Sequence, residues 1–541
     1  MIYDILVTNG RVLDGTGNPW FSADIGIQDG RIAALGMLDK RQAKRVLDAD
    51  DCYVTPGFID IHSHSDLTLL ILPTADSRIR QGITAEVNGN CGASLAPVSA
   101  QSRELLQKTH GKLAGLVSWK WQSLGDYLKI LETQGVALNV GQLVGHGTIR
   151  MAVMGLEARK TTAKELEEMK GLVAQSMEDG ALGLSSGLVY PPGCYSDTEE
   201  LVVLCKVVAR YGGIYTSHTR GERETIVEAL KEAIEIGERA GLPVQVSHNC
   251  PKYGGWGNLK QTIPLYEAAR ARGIEITLDN DAHTDYASSL WEALPQWVYQ
   301  QGQEHALAII GDARNRRRIK EEIAQDKYPG FGPIGLLKHK RWERIVIYKA
   351  QNNALIGKSI RQIARDRKAR CFDTYLDLII EENGEVEAIF DYMRLDDIRQ
   401  LLKHPLMMVC SDAYAMSREG VLAQDAPYYP CCFGEYSYIL EKFVREEKLI
   451  TLQEAIRKMT SFPAQKAGLR DRGIICPGMW ADLVIFDLEK LKDKSTRVSR
   501  DIFENYPHDY PEGINYVLVN GAVVLENGNQ TSILPGKVLR I

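Results

Sequence analysis

The middle of this chain alternates short apolar runs with helical patterns over roughly 400 residues, a rhythm that few architectures other than repeated βα units closing into a barrel can accommodate. Expected strands are Gly57 to Ile61, Ala85 to Asn88, Val136 to Val144, Leu182 to Leu184, Gly213 to Ser217, Val244 to Ser247, Glu275 to Asp279 and Met407 to Cys410, with helices such as Ala163 to Asp179 and Thr225 to Ala240 between them. The stretch from Tyr286 to Lys403 is too long for one βα connection and reads as an inserted lid or subdomain, residues 286–403. Both chain ends have another texture. Ile2 to Thr8, Arg11 to Leu13, Ala23 to Ile27 and Arg31 to Leu35 are short strand patterns separated by the hairpin signals Asn9-Gly10 and Asp29-Gly30. The pattern returns at Asp482 to Phe486, Tyr516 to Leu518 and Ala522 to Leu525, with Asn520-Gly521 between the last two. The expected organisation is therefore a discontinuous β domain, residues 1–55 and 467–541, around a barrel of residues 56–466.

Chemistry gathers at the expected strand ends. His62 and His64 follow the strand at Gly57, and residues two apart on an extended chain face the same way, so both imidazoles can reach one ion. Thr216-Ser217-His218 and Val246-Ser247-His248 each end an apolar run with a histidine, on strands one helix apart. Cys91 sits where Asn88-Gly89-Asn90-Cys91-Gly92 turns through glycines; its thiolate can bind one ion or bridge two. Val409-Cys410-Ser411-Asp412 closes a late strand with a carboxylate. Taken singly, each has a bland reading as a packed histidine, a buried small residue or a helix cap. The combination is far more specific than any member.

The remaining composition narrows the class. A net charge of -6 leaves no basic footprint for nucleic acid, and no apolar run approaches the roughly 20 residues of a membrane span. The N-terminus carries no charged segment followed by an apolar one, and ten cysteines lack the regular spacing of a secreted disulfide framework. A cytoplasmic enzyme with a small-molecule partner is expected, as a monomer or a homo-oligomer.

These motifs carry a resemblance. Pro56 to Asp66, Asn88 to Gly92, Gly145-His146-Gly147-Thr148-Ile149-Arg150, Gly183 to Gly193, His218-Thr219-Arg220, Ser247-His248, Ser411-Asp412 and Pro477 to Val484 together resemble the amidohydrolase superfamily, and more closely its N-acyl-D-amino-acid deacylase (D-aminoacylase) branch. The resemblance implies an α/β fold, a distorted (β/α)8 TIM-like barrel with a β-sandwich built from both chain ends. It implies zinc, with Cys91, His218 and His248 as the tighter site and His62, His64 and Asp412 as a second, weaker one. It also implies hydrolysis of a linear amide, nominally an N-acyl-D-amino acid, by metal-activated water, with Asp412 as general base and then general acid. Asp66 and Arg220 lie close enough in sequence to orient ligands from behind.

The recognition residues match less well. Relatives hold the substrate carboxylate with an arginine in a His-Pro-Arg segment, and here Tyr429-Pro430-Cys431-Cys432 puts Cys431 in its place. A family Tyr-Pro-Tyr-Thr-Ala segment is replaced by Asp281-Ala282-His283-Thr284-Asp285. Lys252, His283, Ser289 in the Ala-Ser-Ser run, and Arg418 are the remaining candidates for substrate contact. Alternatives on the same scaffold are an amidase for carboxylate-free amides, one for substrates whose cationic group meets Asp281 or Asp285, a cyclic amidase of the hydantoinase or dihydropyrimidinase type, and a non-catalytic scaffold. The cyclic amidases use a carboxylated lysine where this chain has Cys91, and a scaffold would be expected to lack ligands.

Overall fold

Both ends of the chain contribute to one sheet. The computed structural model describes residues 2–299, 302–327, 332–424, 429–495 and 509–540. The N-terminal strands are β1 (Tyr3–Val12), β2 (Phe21–Gln28), β3 (Arg31–Gly36), β4 (Ala43–Asp48) and β5 (Tyr53–Pro56). Asp29 and Gly30, with φ of 52° and 75°, make the β2–β3 hairpin turn. The hairpin expected at Asn9-Gly10 does not form. β1 runs straight through it, and its register with β2 shifts between Val7 and Gly10. A bulge needs the same left-handed Asn conformation as a tight turn, here φ 58° at Asn9, so the dipeptide alone does not separate the two.

The barrel strands are β6 (Phe58–Asp60), β7 (Ile83–Asn88), β8 (Asn139–Gly145), β9 (Gly183–Gly187), β10 (Ile214–His218), β11 (Val244–Val246) and β12 (Ile276–Asn280). Next come β13 (Asp285–Ser289), β14 (Ile345–Lys349) and β15 (Glu387–Asp391), a separate antiparallel sheet in the order β13-β15-β14, and then the eighth barrel strand, β16 (Met407–Val409). The barrel strands pair in parallel in the order β6-β7-β8-β9-β10-β11-β12-β16, and a bridge between Ser63 and Ala413 brings the first and last together just past their C-terminal ends. These strands are buried on both faces, which is why they read as short apolar runs without alternation. Helices cover the outside. Ala163–Glu178 starts on a Thr162/Glu165 capping box, and Ile226–Ala240 ends at Gly241 with φ 72°.

The insertion has its own core, in which Leu290, Ile345, Ile347, Tyr375, Leu378 and Phe390 are buried. Beneath the rim, fully buried Arg78 pairs with Asp60 and Glu86 and donates to Ser411 Oγ, which ties the ends of β6, β7 and β16 into one floor. Beyond the barrel, β17 (Leu483–Phe486) pairs antiparallel with β5, followed by β18 (Ile514–Val519), β19 (Ala522–Glu526) and β20 (Asn529–Gln530). Inner-face residues from both ends, including Ile5, Val7, Ile25, Ile27, Leu483, Ile485 and Leu518, share one core. The chain thus has a distorted TIM-like barrel with a companion β domain. One detail departs from the expected domain limits: β21 (Val538–Leu539) pairs in parallel with β8, so the C-terminal residues return to the barrel.

Candidate metal centre and active site

All six expected ligands converge at the C-terminal rim of the barrel. Cys91 Sγ lies 3.3 Å from His62 Nε2, 3.6 Å from His218 Nδ1 and 3.4 Å from His248 Nε2. Asp412 Oδ1 lies 3.0 Å from His64 Nε2 and 3.3 Å from His62 Nε2. Two ligand groups result, Cys91 with His218 and His248, and His62, His64 and Asp412 with Cys91 again. The thiolate belongs to both.

The backbone is held in uncommon conformations to do this. Cys91, His248 and Asp412 have φ of 52°, 33° and 49°, a region that costs a non-glycine residue about 1–3 kcal/mol and that persists where function needs it. Each of these residues sits just past a strand end, where the chain turns inward over the barrel. The Cys91 loop is pinned by Asp66, whose carboxylate accepts from Gly89 N at 3.2 Å and Gln142 Nε2 at 2.6 Å. At Gly187 a Cβ would come within 2.1 Å of the Cys91 carbonyl oxygen, so that neighbour must be glycine. Asp412 N donates to His62 O at 3.0 Å and His64 N to Ala413 O at 2.8 Å, which locks the first and last strand ends together.

The electrostatics favour a cation at the centre. Burial alone would raise the Cys91 thiol, yet His62, His248 and His218 hold it well below its ordinary value. Burial opposes charge on the imidazoles too, but Asp412 and Cys91 push His64 up to about 10, and Glu222 and Cys91 push His218 up to about 9. Asp412, against its own burial, is pulled down to about 2 by His248, His62 and His64. The donor spacing fits as well. Around a small divalent ion such as zinc, a sulfur at about 2.3 Å and a nitrogen at about 2.1 Å in tetrahedral array lie about 3.6 Å apart.

Two acids behind the ligands carried no local sequence signal. Asp279 Oδ1 lies 3.4 Å from His62 Nδ1 and accepts from His248 N at 2.7 Å; Glu222 Oε1 lies 3.4 Å from His218 Nε2 and 3.6 Å from His248 Nδ1. Carboxylates in this position fix imidazole orientation and raise ligand basicity. Asp279→Asn, which keeps the shape and removes the charge, is expected to weaken metal binding about 10–100-fold, measured by chelator competition. Arg220, expected in that role, instead pairs with Glu232 at 3.0 Å and donates to Cys194 O.

A cavity of about 640 Å³ opens over the ligands. Leu95, Leu106, Met151 and Leu156 form an apolar wall, and Tyr190, Tyr286, Tyr299, Tyr392 and Tyr429 line other parts. The candidates for substrate contact lie elsewhere. Lys252 is buried one layer back, its Nζ 3.9 Å from Glu222, 3.3 Å from Met393 Sδ and 5.0 Å from the Tyr392 ring centre. Against burial, Glu222 and Asp281 keep it charged by raising it above its usual value. His283 is buried against Glu435 and Cys431. Ser289 Oγ caps the next turn by accepting from Trp291 N at 3.3 Å, while Ser288 bonds to Glu292, which does line the cavity. Arg418 is exposed, pairs with Asp509 at 2.6 Å and is not among the described residues that line the cavity.

A parallel barrel with a thiolate, four imidazoles and a carboxylate gathered at the base of a cavity defines a metal-dependent hydrolase. The chain matches the model of the amidohydrolase family over residues 45–326 and 408–525, and it belongs to that family. The gap in the match falls mostly within the inserted subdomain. The N-acyl-D-glutamate deacylase of Alcaligenes xylosoxydans xylosoxydans is 33% identical over 99% of this chain and 96% of its own, and the D-aminoacylase of the same organism is 31% identical over 99% and 97%. The crystal structure of N-acyl-D-glutamate deacylase from Bordetella bronchiseptica, complexed with zinc and a phosphonate mimic of the tetrahedral intermediate, superposes with a TM-score of 0.79 at 30% identity, covering all of both chains. This chain is accordingly a metal-dependent amidohydrolase acting on carbon-nitrogen bonds other than peptide bonds. Among the described residues, no helix is long and apolar enough to cross a membrane.

Proposed function

We propose that the chain is a zinc-dependent deacylase that cleaves the linear amide of an N-acyl-D-amino acid to give the D-amino acid and a carboxylate. The observation that carries this reading is the Cys91 thiolate within 3.3–3.6 Å of three imidazoles, with Asp412 beside them at the cavity base. Cys91, His218 and His248 would hold the tighter ion, and His62, His64 and Asp412 a second, weaker one that shares the thiolate. A bound divalent ion supplies Lewis acidity, polarising a carbonyl and lowering the pKa of water from 15.7 toward about 7.

The chain's own residues do the rest. Asp412, kept ionised by His248, His62 and His64, accepts a proton from the attacking water on a carboxylate oxygen. It then delivers that proton to the amine nitrogen as the carbon-nitrogen bond breaks, so the leaving group departs neutral. Asp279 and Glu222 hold the imidazoles in place, and the tyrosine and leucine walls keep bulk water from the reacting carbonyl. A cyclic amidase is disfavoured because a thiolate stands where those enzymes use a carboxylated lysine. Ten free cysteines suit a cytoplasmic setting.

A second reading, hydrolysis of amides without an α-carboxylate, is favoured by one observation: among the described residues that line the cavity there is no arginine or lysine. A panel of N-acyl-D-amino acids, their L-enantiomers, carboxylate-free amides and cyclic ureides separates the two. Preferred turnover of the D-amino acid derivatives supports the first reading. Turnover confined to carboxylate-free amides replaces it while leaving the metal chemistry intact.

A further inference from the structure

We propose that Asp281, His283 and Cys431, completed by Glu435, form an additional metal site for a zinc-like divalent cation, separate from the catalytic centre and buried behind the cavity wall. Asp281 and His283 lie just past β12, and Cys431 opens the helix Cys431–Tyr438, which also carries Glu435. Cys431 Sγ is 3.2 Å from His283 Nδ1 and 3.9 Å from Asp281 Oδ2, and the three donor atoms all lie within 4.8 Å of one another. Tetrahedral zinc holds its donors about 3.3–3.7 Å apart, so small side-chain adjustments admit an ion. The set shares no residue with either ligand group of the catalytic centre.

Two further observations point to a cation. Asp281, His283, Cys431 and Glu435 are all at most 3% exposed, and burying two carboxylates beside a thiol is costly unless positive charge meets them. Lys252 contributes charge there, but its Nζ is also 3.9 Å from Glu222. Moreover, the donors come from two segments that meet in space although His283 and Cys431 are 148 residues apart. Together they supply three ligand types that bind zinc: carboxylate, imidazole and thiolate.

Glu435 now accepts from His283, its Oε2 2.6 Å from Nδ1, while Oε1 accepts from Ala282 N at 2.7 Å. Entry of the ion releases the Cys431 thiol proton to solvent, shifts the His283 proton from Nδ1 to Nε2 so that Nδ1 is free to ligate, and turns Oε2 from hydrogen-bond acceptor into fourth donor. The thiolate selects zinc-like ions over magnesium or calcium. Because Tyr429 lines the cavity two residues before Cys431, the ion would brace that wall against β12.

The test uses cobalt, whose bond to a thiolate gives a charge-transfer absorption. Metal-free full-length wild type, Cys91→Ala, Cys431→Ser and His283→Gln are loaded with Co2+, and the bound cobalt per chain and the absorption are measured. Expected is one equivalent fewer in Cys431→Ser and in His283→Gln than in wild type, with a weaker thiolate band in Cys431→Ser. Cys91→Ala, stripped of the catalytic thiolate, should keep a cobalt ion and a thiolate band. The proposal is overturned if Cys91→Ala shows no thiolate band, or if neither Cys431→Ser nor His283→Gln lowers the bound cobalt. Circular dichroism identifies any variant that does not fold, and the remaining ones still decide.

Discussion

Cys91→Ala is expected to lose both the tightly bound metal and hydrolysis, with kcat/KM falling by more than the about 10–100-fold that loss of a partner behind a ligand produces. The reason is that one sulfur serves two ligand groups, so its removal takes the shared donor from both. It also removes the anion that faces His62, His218 and His248, leaving three buried imidazoles near one another. Elemental analysis and initial rates on the same preparation check this. Retained metal with undiminished turnover would remove Cys91 from the mechanism.

Asp412→Asn should behave differently. Its carboxylate is outside the group formed by Cys91, His218 and His248, so the tighter ion is expected to remain. The amide cannot take the proton of water or return one to the leaving nitrogen, and kcat should fall about 10²–10⁴-fold, the usual share of general acid-base catalysis. KM should change far less. Reading kcat, KM and metal content together separates the loss of proton transfer from the loss of a ligand. If Asp412→Asn instead lost the tight metal as completely as Cys91→Ala, Asp412 would be a structural ligand and another base would be needed.

How far the site was legible depended on the kind of residue. The proposed metal ligands come from a short menu of side chains and follow strand ends, so His62, His64, Cys91, His218, His248 and Asp412 stand out in the sequence. Asp279 and Glu222 do not, because an acid behind a histidine looks like any acid until the strands are laid side by side; His62 and Asp279 meet only across the barrel. Arg418 is a different case: a candidate for substrate contact in the sequence, it has its ion-pair partner in Asp509, 91 residues on, at the surface. For the fold, periodicity identified the βα rhythm, but Asn9-Gly10 could mark a turn or a bulge, and only the pairing of β1 with β2 along its whole length distinguishes them. The return of Val538 and Leu539 to the barrel leaves no local trace, since two apolar residues suit either domain.

The central claim is that an ion at the Cys91 group drives the hydrolysis. Its most direct test is to strip the wild-type protein of metal, add zinc in fractions of an equivalent, and follow release of the free amine from an N-acyl amino acid or amide that the holoenzyme turns over. We expect negligible turnover without metal and activity rising with the first equivalent per chain as the tighter site fills. Full turnover by protein shown to be metal-free would contradict the account.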